Sequence, residues 1–572
     1  MEGKTTHNNF VAKHTHSGPR GHLLVLSART PMALTRLAEA LASDLSAAAP
    51  DPADLEYTCL ANPVQLPVRR YFVFESIEQL RRQLAEPGET SLPAKGPTRP
   101  AVPVFLFPGG GVQHINMARD LYQSESYFKQ VVDEGLQYAG RINEGVDFLG
   151  RLYPADARNN AELTDPEIAL PLLFIIEYAL ARFLLFLGIT PAAMIGHSLG
   201  EYVAAAIAGV FTYQEGIRIV SARGRLMKKV EPGLMLSVAA PVEAVRPFLG
   251  EAVSVGAINS PGHCMLSGNA AQIRTLRATL EAQGVQAKLL HIAVASHSHL
   301  MEPILDEFRE VLRSIPVRQP EHLFISNLYG AWSTDLSFDA EYWVKHLRQP
   351  VLFSDGIARI RQAFPGCTFV EVGPGHTLSN LVNIHRQDGE AGPTVNLLRH
   401  PLSEADDQRF LLGALGELWS YGCPLDAGRL SADRSGKPVL LPALAALGTG
   451  PAAGEETAGE QAADPEDTGA APLKSKIQSV LQQYLRRPVD IHDPILGYGL
   501  DNQDIAAISR QLEAELQLNL SRVLLLQHPT IENLVRFCRE RHRPEPVSRE
   551  DSQNRLDKAK SKIEKMRSVV RK

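Results

Sequence analysis

The stretch AMIGHSLGEYVAAAIAGV, residues 193–210, decides the fold of this chain. Its first four residues favour a short buried strand, and the alanine-rich residues from Glu201 onward favour a helix. Between them lies GHSLG at 196–200, a G-x-S-x-G motif. A strand before this motif and a helix after it are typical of a nucleophile elbow, a sharp turn that exposes a serine hydroxyl. Ser198 is therefore a candidate catalytic nucleophile.

Strands and helices alternate on both sides of this elbow. The strand patterns VFLF and FVEVG alternate with long helical patterns across residues 103–400. This alternation predicts an α/β fold with a parallel-sheet, hydrolase-like core, whose catalytic turns lie at the carboxyl ends of the strands. Residues 168–188 are apolar enough to resemble a membrane span, but Glu177 and Arg182 interrupt them, which favours a core helix.

Further segments surround and interrupt this core. Residues 234–294 follow the order strand, helix, strand, strand, helix, strand, which predicts a ferredoxin-like insertion. A small α/β unit at 22–92 precedes the proline-rich stretch 93–103, and residues 1–21 have the composition of a disordered N-terminus. Residues 401–447 form a segment that follows the core domain.

The composition changes again towards the last residue. Residues 448–472 carry six acidic and no basic side chains, which predicts a flexible acidic linker. Amphipathic spacing over 473–541 predicts a small helical bundle. Residues 542–572 end in a basic helix of two heptads, which is too short for a self-sufficient coiled coil. That helix therefore either pairs with a partner protein or frays.

Bulk composition excludes several classes of function. A chain of 572 residues with 44% hydrophobic and 21% charged residues is typical of a soluble protein with several domains. A net charge of −6 gives no general attraction to nucleic acid or to a membrane. The five cysteines contain no C-x-x-C pair, and no apolar signal segment precedes the first strand. We therefore expect a cytoplasmic protein with reduced thiols and no bound metal.

A serine nucleophile needs a base and a site for the negative charge that develops on the attacked carbonyl oxygen. The Leu199 N–H is expected at a helix N-terminus, where free donors favour an anion. The glycine loop FPGGG at 107–111 can supply a second N–H. The chain has eighteen histidines, and composition does not select the base among them.

Seven motifs occur in order along the chain: FPGGGVQ at 107–113, GHSLGE at 196–201, ARGRLM at 222–227, INSPGHCMLSG at 258–268, VASHSHLMEPIL at 294–305, YWVKHLRQPVLF at 342–353 and EVGPG at 371–375. In content and spacing they resemble the acyltransferase domains of modular polyketide synthases. They also resemble the malonyl-CoA:carrier-protein transacylases of fatty-acid synthesis. The resemblance covers about 22–445, since the unit at 22–92 is similar to the linker domain between ketosynthase and acyltransferase.

The resemblance implies roles for the matching residues of the catalytic centre. Ser198 would accept the acyl group, and His297 would act as general base and acid, with its ring oriented by a backbone carbonyl near Leu352. The Gly110 and Leu199 amides would form the oxyanion hole. Many relatives carry glutamine at the position of Gly110. Glycine keeps the backbone N–H but lacks the glutamine side chain.

The resemblance also implies which residues select the acyl group. Arg223 would pair with the free carboxylate of a malonyl-type group, since a guanidinium offers two parallel donors to a carboxylate. The pocket would be lined by His197, Asn259, Val294 and Ser296. Leu199 in the elbow favours malonyl-CoA, whereas Ser296 leaves room for the branch of methylmalonyl-CoA. We favour malonyl, although one methyl group changes binding by only ~1–3 kcal/mol.

The implied function is transfer of a malonyl-type extender unit from coenzyme A to the phosphopantetheine thiol of an acyl carrier protein. That carrier is expected to belong to a separate synthase, and the thioester substrate is expected to need no metal or organic cofactor. Two alternatives stay open. An editing hydrolase would use the same serine and histidine. Such hydrolases generally act on uncharged acyl chains, so the charged Arg223 weighs against this alternative. The intact serine, histidine and arginine weigh against a non-catalytic docking scaffold.

The bundle at 473–541 resembles an acyl carrier protein through LGYGLDNQD at 496–504 and LLLQHPTIENL at 524–534. Carrier proteins attach phosphopantetheine through the serine of a GLDS element, and Asn502 occupies that position here. An amide cannot form the phosphodiester, so we expect no phosphopantetheine. Asparagine is as good a helix N-cap as serine, so we expect the fold of the bundle to be kept. The bundle is then either a decayed carrier or a pseudo-carrier that docks partner synthase proteins.

Overall fold

A computed structural model describes residues 20–61, 66–86, 101–154, 161–290, 294–385, 392–431 and 436–444, together with 477–482 and residues 508, 511 and 512. Contacts divide the chain into two compact units, residues 1–454 and 455–572. Nearly all of the described residues belong to the first unit.

The N-terminal part consists of β1 (His22–Ala28), α1 (Pro31–Ala47), α2 (Pro52–Ala61), β2 (Val68–Phe74) and α3 (Ile77–Ala85). The two strands pair antiparallel, and β1 is buried along its whole length. Thr30 caps α1 by accepting a hydrogen bond from the Ala33 N–H, and Pro31 occupies the first turn. Local residues therefore determine where this helix begins.

The core domain begins with β3 (Pro103–Phe107), α4 (Arg119–Ser124), α5 (Ser126–Ile142), α6 (Phe148–Leu152), α7 (Pro166–Phe186), β4 (Ala193–Gly196), α8 (Leu199–Ile207) and α9 (Tyr213–Met227). Helix α7 is long and apolar enough to span a membrane, but 83% of its most apolar window is buried inside the protein. Burial raises the pKa of Glu177 well above its usual range, so this carboxyl is neutral within the core. The structure thus confirms the predicted core helix.

The insertion follows α9 and consists of β5 (Gly233–Val238), α10 (Val242–Val245), β6 (Val253–Ser260), β7 (His263–Asn269), α11 (Ala270–Ala282) and β8 (Ala287–Leu290). Its strands form one antiparallel sheet in the order β6-β7-β5-β8. The insertion has a small hydrophobic core of its own, which includes Leu236 of the sheet and Ile273 of α11. The sequence of elements is the one that the pattern over 234–294 predicts.

The core domain resumes with α12 (Leu305–Arg313), β9 (Phe324–Ser326), β10 (Ala331–Trp332), α13 (Ala340–Arg348), α14 (Phe353–Ala363), β11 (Thr368–Glu371), α15 (Thr377–Ile384), β12 (Thr394–Asn396), α16 (Asp407–Ser420) and α17 (Ala427–Ser431). Its sheet has the order β10-β9-β4-β3-β11-β12, and among these described strands only the edge strand β10 runs antiparallel. The predicted, largely parallel sheet is confirmed. The loops after β3, β4, β9 and β11 meet at one edge because parallel strands end on the same side.

Helix α16 joins the N-terminal part to the core domain. It packs against β1, β2 and α4. Arg69 of β2 donates to the Trp419 carbonyl at 2.7 Å and lies over the Trp419 ring. Gly416 leaves room for the Tyr71 ring, since a Cβ at this position would lie 2.3 Å from it. Helix α16 lies in the segment 401–447 that was predicted to follow the core domain, and it is part of the same packed unit.

In the second unit, residues 477–482 are helical, and Ile477, Val480 and Leu481 are buried. Ile508 and Leu512, which lie within the predicted bundle at 473–541, are also buried. The predicted linker at 448–472, most of the bundle with Asn502, the basic helix and residues 1–19 lie outside the described residues.

Candidate active site

The turn from β4 into α8 places Ser198 at the carboxyl edge of the core sheet. Ser198 has φ 51° and ψ −108°, a backbone conformation that costs energy for any residue with a Cβ atom. The flanking glycines make this turn possible. A Cβ at Gly200 would lie 2.0 Å from the Phe107 carbonyl oxygen, and one at Gly196 would lie 2.1 Å from the Glu201 nitrogen. The motif therefore needs glycine at both positions.

Ser198 and His297 form a hydrogen-bonded pair, with 2.7 Å between Ser198 Oγ and His297 Nε2. The other ring nitrogen, Nδ1, lies 2.9 Å from the carbonyl oxygen of Gln349. A carbonyl oxygen can only accept, so Nδ1 must carry the proton, and Nε2 has a free lone pair for the serine proton. The arrangement is that of a nucleophile with an oriented base.

The carbonyl that orients His297 is that of Gln349, which corrects the expected position near Leu352. Helix α13 ends at Arg348, and Gln349 is its C-cap in an extended conformation. A C-cap carbonyl has no intrahelical donor, so it is free to accept from the imidazole. The Leu352 carbonyl instead accepts a hydrogen bond from the Gly356 N–H at 3.2 Å.

His297 is held as a neutral base. Burial lowers its pKa well below the usual value, and the nearby charge of Arg223 and the neighbouring His346 lower it further. His297 also has a positive φ of 58°, so both members of the pair lie in strained backbone. Strain of this kind persists where the surrounding structure holds a residue in a required position.

Arg223 of α9 lies beside the nucleophile in the interior, with 2% of its surface exposed. Its Nη2 donates to Ser198 Oγ at 3.2 Å, and its guanidinium lies over the Tyr202 ring at 5.4 Å. Among the described residues, no hydrogen-bond partner reaches Arg223 Nε or Nη1. A buried cation with two such donors is suited to an anion next to Ser198.

One of the two predicted oxyanion donors, Leu199, belongs to the elbow, and the other, Gly110, belongs to the glycine loop that packs against it. Leu199 is the first residue of α8, so its N–H has no acceptor within the helix. Gly109 lies against the elbow, because a Cβ there would be 2.6 Å from the His197 carbonyl oxygen. A Cβ at the next residue, Gly110, would meet nothing closer than Leu170 at 3.7 Å. A Cβ atom at Gly110 therefore meets no steric obstacle, in contrast to Gly109.

The remaining predicted pocket residues lie where the core domain meets the insertion. His197 Nε2 donates to Asn259 Oδ1 of β6 at 2.9 Å, and burial lowers the His197 pKa, so this ring is neutral. Val294 and Ser296 are buried next to His297. The Ser296 carbonyl accepts a hydrogen bond from Ser267 Oγ of β7 at 2.6 Å, which ties this loop to the insertion.

Asn327 is a site residue that the sequence reasoning missed. Its Oδ1 accepts from the Ser198 N–H at 2.7 Å, and its Nδ2 donates to the Gly196 carbonyl at 2.7 Å. One amide thus bridges both sides of the strained turn. The available signal was its position directly after the short buried strand β9, which ends at the same sheet edge as β4.

Glu201 supports Asn327 from the interior. Its carboxylate is fully buried and accepts from the Asn327 N–H at 2.6 Å and from the Tyr342 hydroxyl. His346 Nε2 lies 3.3 Å from the same carboxylate. The last residue of GHSLGE therefore anchors the elbow to α13. Within the described ranges, no three His, Cys, Asp or Glu side chains converge in a way that could hold a metal ion.

Three protein-family models match the chain. The model of the acyl transferase domain matches residues 104–416. The model of the phosphopantetheine attachment site matches 475–538, and the CurL-like polyketide synthase C-terminal model matches 22–84.

Curated relatives of this chain include polyketide synthases. The chain is similar to the phenolphthiocerol synthesis polyketide synthase type I Pks15/1 of Mycobacterium bovis, with 34% identity over 446 residues, which cover 76% of this chain and 20% of that protein. It is 30% identical to polyketide synthase GfsA of Streptomyces halstedii over 578 residues, covering 94% of this chain and 8% of that protein. The chain thus spans about a fifth of the length of the first of these relatives and less of the second.

Solved acyltransferase domains have the same fold. The acyl transferase domain of ZmaA is 30% identical, with a TM-score of 0.68, and the match covers 75% of this chain and all of that one. The acyl transferase domain of SpnD, solved in complex with 2-(pent-4-yn-1-yl)malonyl, is 34% identical with a TM-score of 0.64. That match covers 72% of this chain and 98% of the other.

Proposed function

Because the chain belongs to the acyl transferase domain family and is homologous to polyketide synthases, we propose that it transfers a malonyl-type group from coenzyme A to an acyl carrier protein. The observation that carries this proposal is Arg223. A buried guanidinium 3.2 Å from the nucleophile, with two donors that no described residue satisfies, is suited to an acyl group ending in a carboxylate. The complex of the SpnD domain with a substituted malonyl group supports the same class of substrate.

The first half-reaction forms an acyl-enzyme. His297 Nε2 takes the proton of Ser198 Oγ as the oxygen attacks the thioester carbonyl carbon. The Leu199 and Gly110 N–H groups stabilise the oxyanion. The carbon–sulfur bond then breaks, and the thiol of coenzyme A leaves with the proton that His297 held.

The second half-reaction reverses these steps with a new thiol. The phosphopantetheine thiol of the carrier protein gives its proton to His297 and attacks the Ser198 ester. The oxyanion forms again at the same two amides, and Ser198 Oγ leaves with the proton of His297. No step changes an oxidation state, and the residues of this chain provide every proton transfer.

The same proposal names an extender unit and assigns the parts of the chain that surround the core domain. Malonyl-CoA is the preferred donor, and methylmalonyl-CoA is the competing one, since Ser296 leaves space in the pocket. The insertion is assigned to the ferredoxin-like class, and residues 22–92 to the linker domain that accompanies such acyltransferases. The acceptor is a carrier of a separate synthase, and we place the reaction in the cytoplasm.

Incubating the protein with radiolabelled malonyl-CoA and a panel of carrier proteins tests the function. We expect label on the protein itself and on at least one carrier. Release of free malonate without labelled carrier would instead identify a hydrolase. A protein that takes up no label from malonyl-CoA or other acyl-CoA donors would be a docking scaffold.

The carrier-like unit allows a separate prediction. Treatment with a broad-specificity phosphopantetheinyl transferase and coenzyme A is expected to leave the mass of the protein unchanged, because Asn502 has no hydroxyl to attack the pyrophosphate of coenzyme A and accept the phosphopantetheine group. The variant Asn502→Ser is expected to gain one phosphopantetheine group. Intact-protein mass spectrometry measures both outcomes, and modification of the unchanged protein would contradict the pseudo-carrier hypothesis.

A further inference from the structure

Tyr202 lies one helical turn beyond the nucleophile on α8. Side chains on a helix tilt towards its N-terminus, and the N-cap of α8 is Ser198. Its ring lies under the Arg223 guanidinium, which in turn donates to Ser198 Oγ at 3.2 Å. Tyr202 therefore belongs to the immediate surroundings of the group that would hold the substrate carboxylate.

The Tyr202 ring is fixed by its neighbours. It is fully buried and stacks on Trp343, with 4.4 Å between ring centroids. His346 approaches the ring edge-on at 5.2 Å. An aromatic ring held on two sides has little freedom to turn its hydroxyl elsewhere.

Among the described residues, the Tyr202 hydroxyl has no partner in strict hydrogen-bond geometry. The Arg223 guanidinium lies close enough to donate to its oxygen, but a guanidinium cannot accept, so the hydroxyl hydrogen has no acceptor. Buried polar atoms without partners are rare in folded proteins, and each needs an explanation. Here three such atoms lie around one guanidinium: the Tyr202 hydroxyl, Arg223 Nε and Arg223 Nη1. Burial raises the pKa of Tyr202 to about 12, although the charge of Arg223 and a hydrogen bond from it act in the opposite direction. The hydroxyl therefore keeps its proton at neutral pH and is available as a donor.

We propose that Tyr202 is a specificity-determining residue whose hydroxyl donates to the free carboxylate of the acyl group, beside Arg223. A carboxylate has about four acceptor positions, enough for the two nitrogens of Arg223 and for one hydroxyl. The inference rests on the proposed malonyl-type substrate. It adds a second donor, so that the pocket recognises the carboxylate from two elements, α8 and α9.

The variant Tyr202→Phe tests this role because it keeps the ring and removes only the hydroxyl. We expect kcat/KM for transfer from malonyl-CoA to fall about tenfold, which is what one hydrogen bond to a charged group provides. The fall is expected mainly in KM, since the carboxylate is bound in both the ground state and the transition state. Transfer from acetyl-CoA, which has no carboxylate, is expected to change by less than about twofold.

The matched control is Tyr213→Phe, a buried tyrosine on α9 whose hydroxyl donates to the Val131 carbonyl, away from the pocket. It should leave the ratio of malonyl to acetyl transfer unchanged. Equal losses for both donors in Tyr202→Phe, or no loss for malonyl-CoA, would overturn the role of Tyr202 while the unchanged protein still forms a malonyl ester. If the unchanged protein formed no malonyl ester, the proposed function itself would fail.

Discussion

Replacing Ser198 with alanine is expected to abolish the ester that the protein forms with malonyl-CoA. Intact-protein mass spectrometry should detect one malonyl adduct on the unchanged protein and none on Ser198→Ala. The reason is geometric. Ser198 Oγ lies 2.7 Å from Nε2 of the base and 3.2 Å from Nη2 of Arg223. Transfer to a carrier should fall by roughly 10⁴ or more, as when a member of a catalytic unit is removed.

The control for Ser198→Ala is Ser221→Ala. Ser221 is buried on α9 and accepts a hydrogen bond from Asn143 Nδ2 at 3.3 Å. It should keep both the adduct and the transfer rate. A malonyl adduct that persists on Ser198→Ala would show that another side chain accepts the acyl group, and the proposed acyl-enzyme would then be wrong.

The parts of the fold that could be predicted best are those determined by residues close together in the chain. The elbow is local, since the strand β4, two required glycines and the start of α8 lie within residues 193–207. Helix α1 shows the same dependence, because Thr30 and Pro31 mark its beginning. The predicted end of strand β11 was less exact. The strand ends at Glu371, before the predicted Gly373, whose close approach to Pro108 marks the turn that follows.

The parts of the site that were not predicted are formed by residues far apart in the chain. Every residue has a carbonyl, and Gln349 becomes the partner of His297 because α13 ends one residue before it. Asn327 is 129 residues from Ser198, and the pairing of β4 with β9 brings them together. His297 itself came from family resemblance, since eighteen histidines give no basis for choosing one from composition.

The second large effect is expected for Arg223→Ala, which should lose malonyl transfer far more than acetyl transfer. Removing one partner of a charged, hydrogen-bonded pair costs about 2–5 kcal/mol, which corresponds to a loss of roughly 30-fold or more in kcat/KM for malonyl-CoA. Acetyl-CoA brings no carboxylate and makes no such pair. The measurement is kcat/KM for both donors at pH 8.

The pH of that assay matters because Arg223 also acts on the base. Its charge adds to burial in lowering the His297 pKa, so the variant should have a higher His297 pKa than the unchanged protein. At pH 8 the imidazole is neutral in both proteins, so the change in the His297 pKa does not contribute. The loss of the hydrogen bond from Arg223 to Ser198 Oγ affects both donors alike, and the ratio of malonyl to acetyl transfer then reports recognition of the carboxylate. Arg225→Ala is the matched control, since Arg225 lies two residues further along α9 on its exposed side and reaches Asn143 instead of the nucleophile. An equal fall for both donors in Arg223→Ala would assign Arg223 a structural role, and the preference for a dicarboxylic acyl group would need another source.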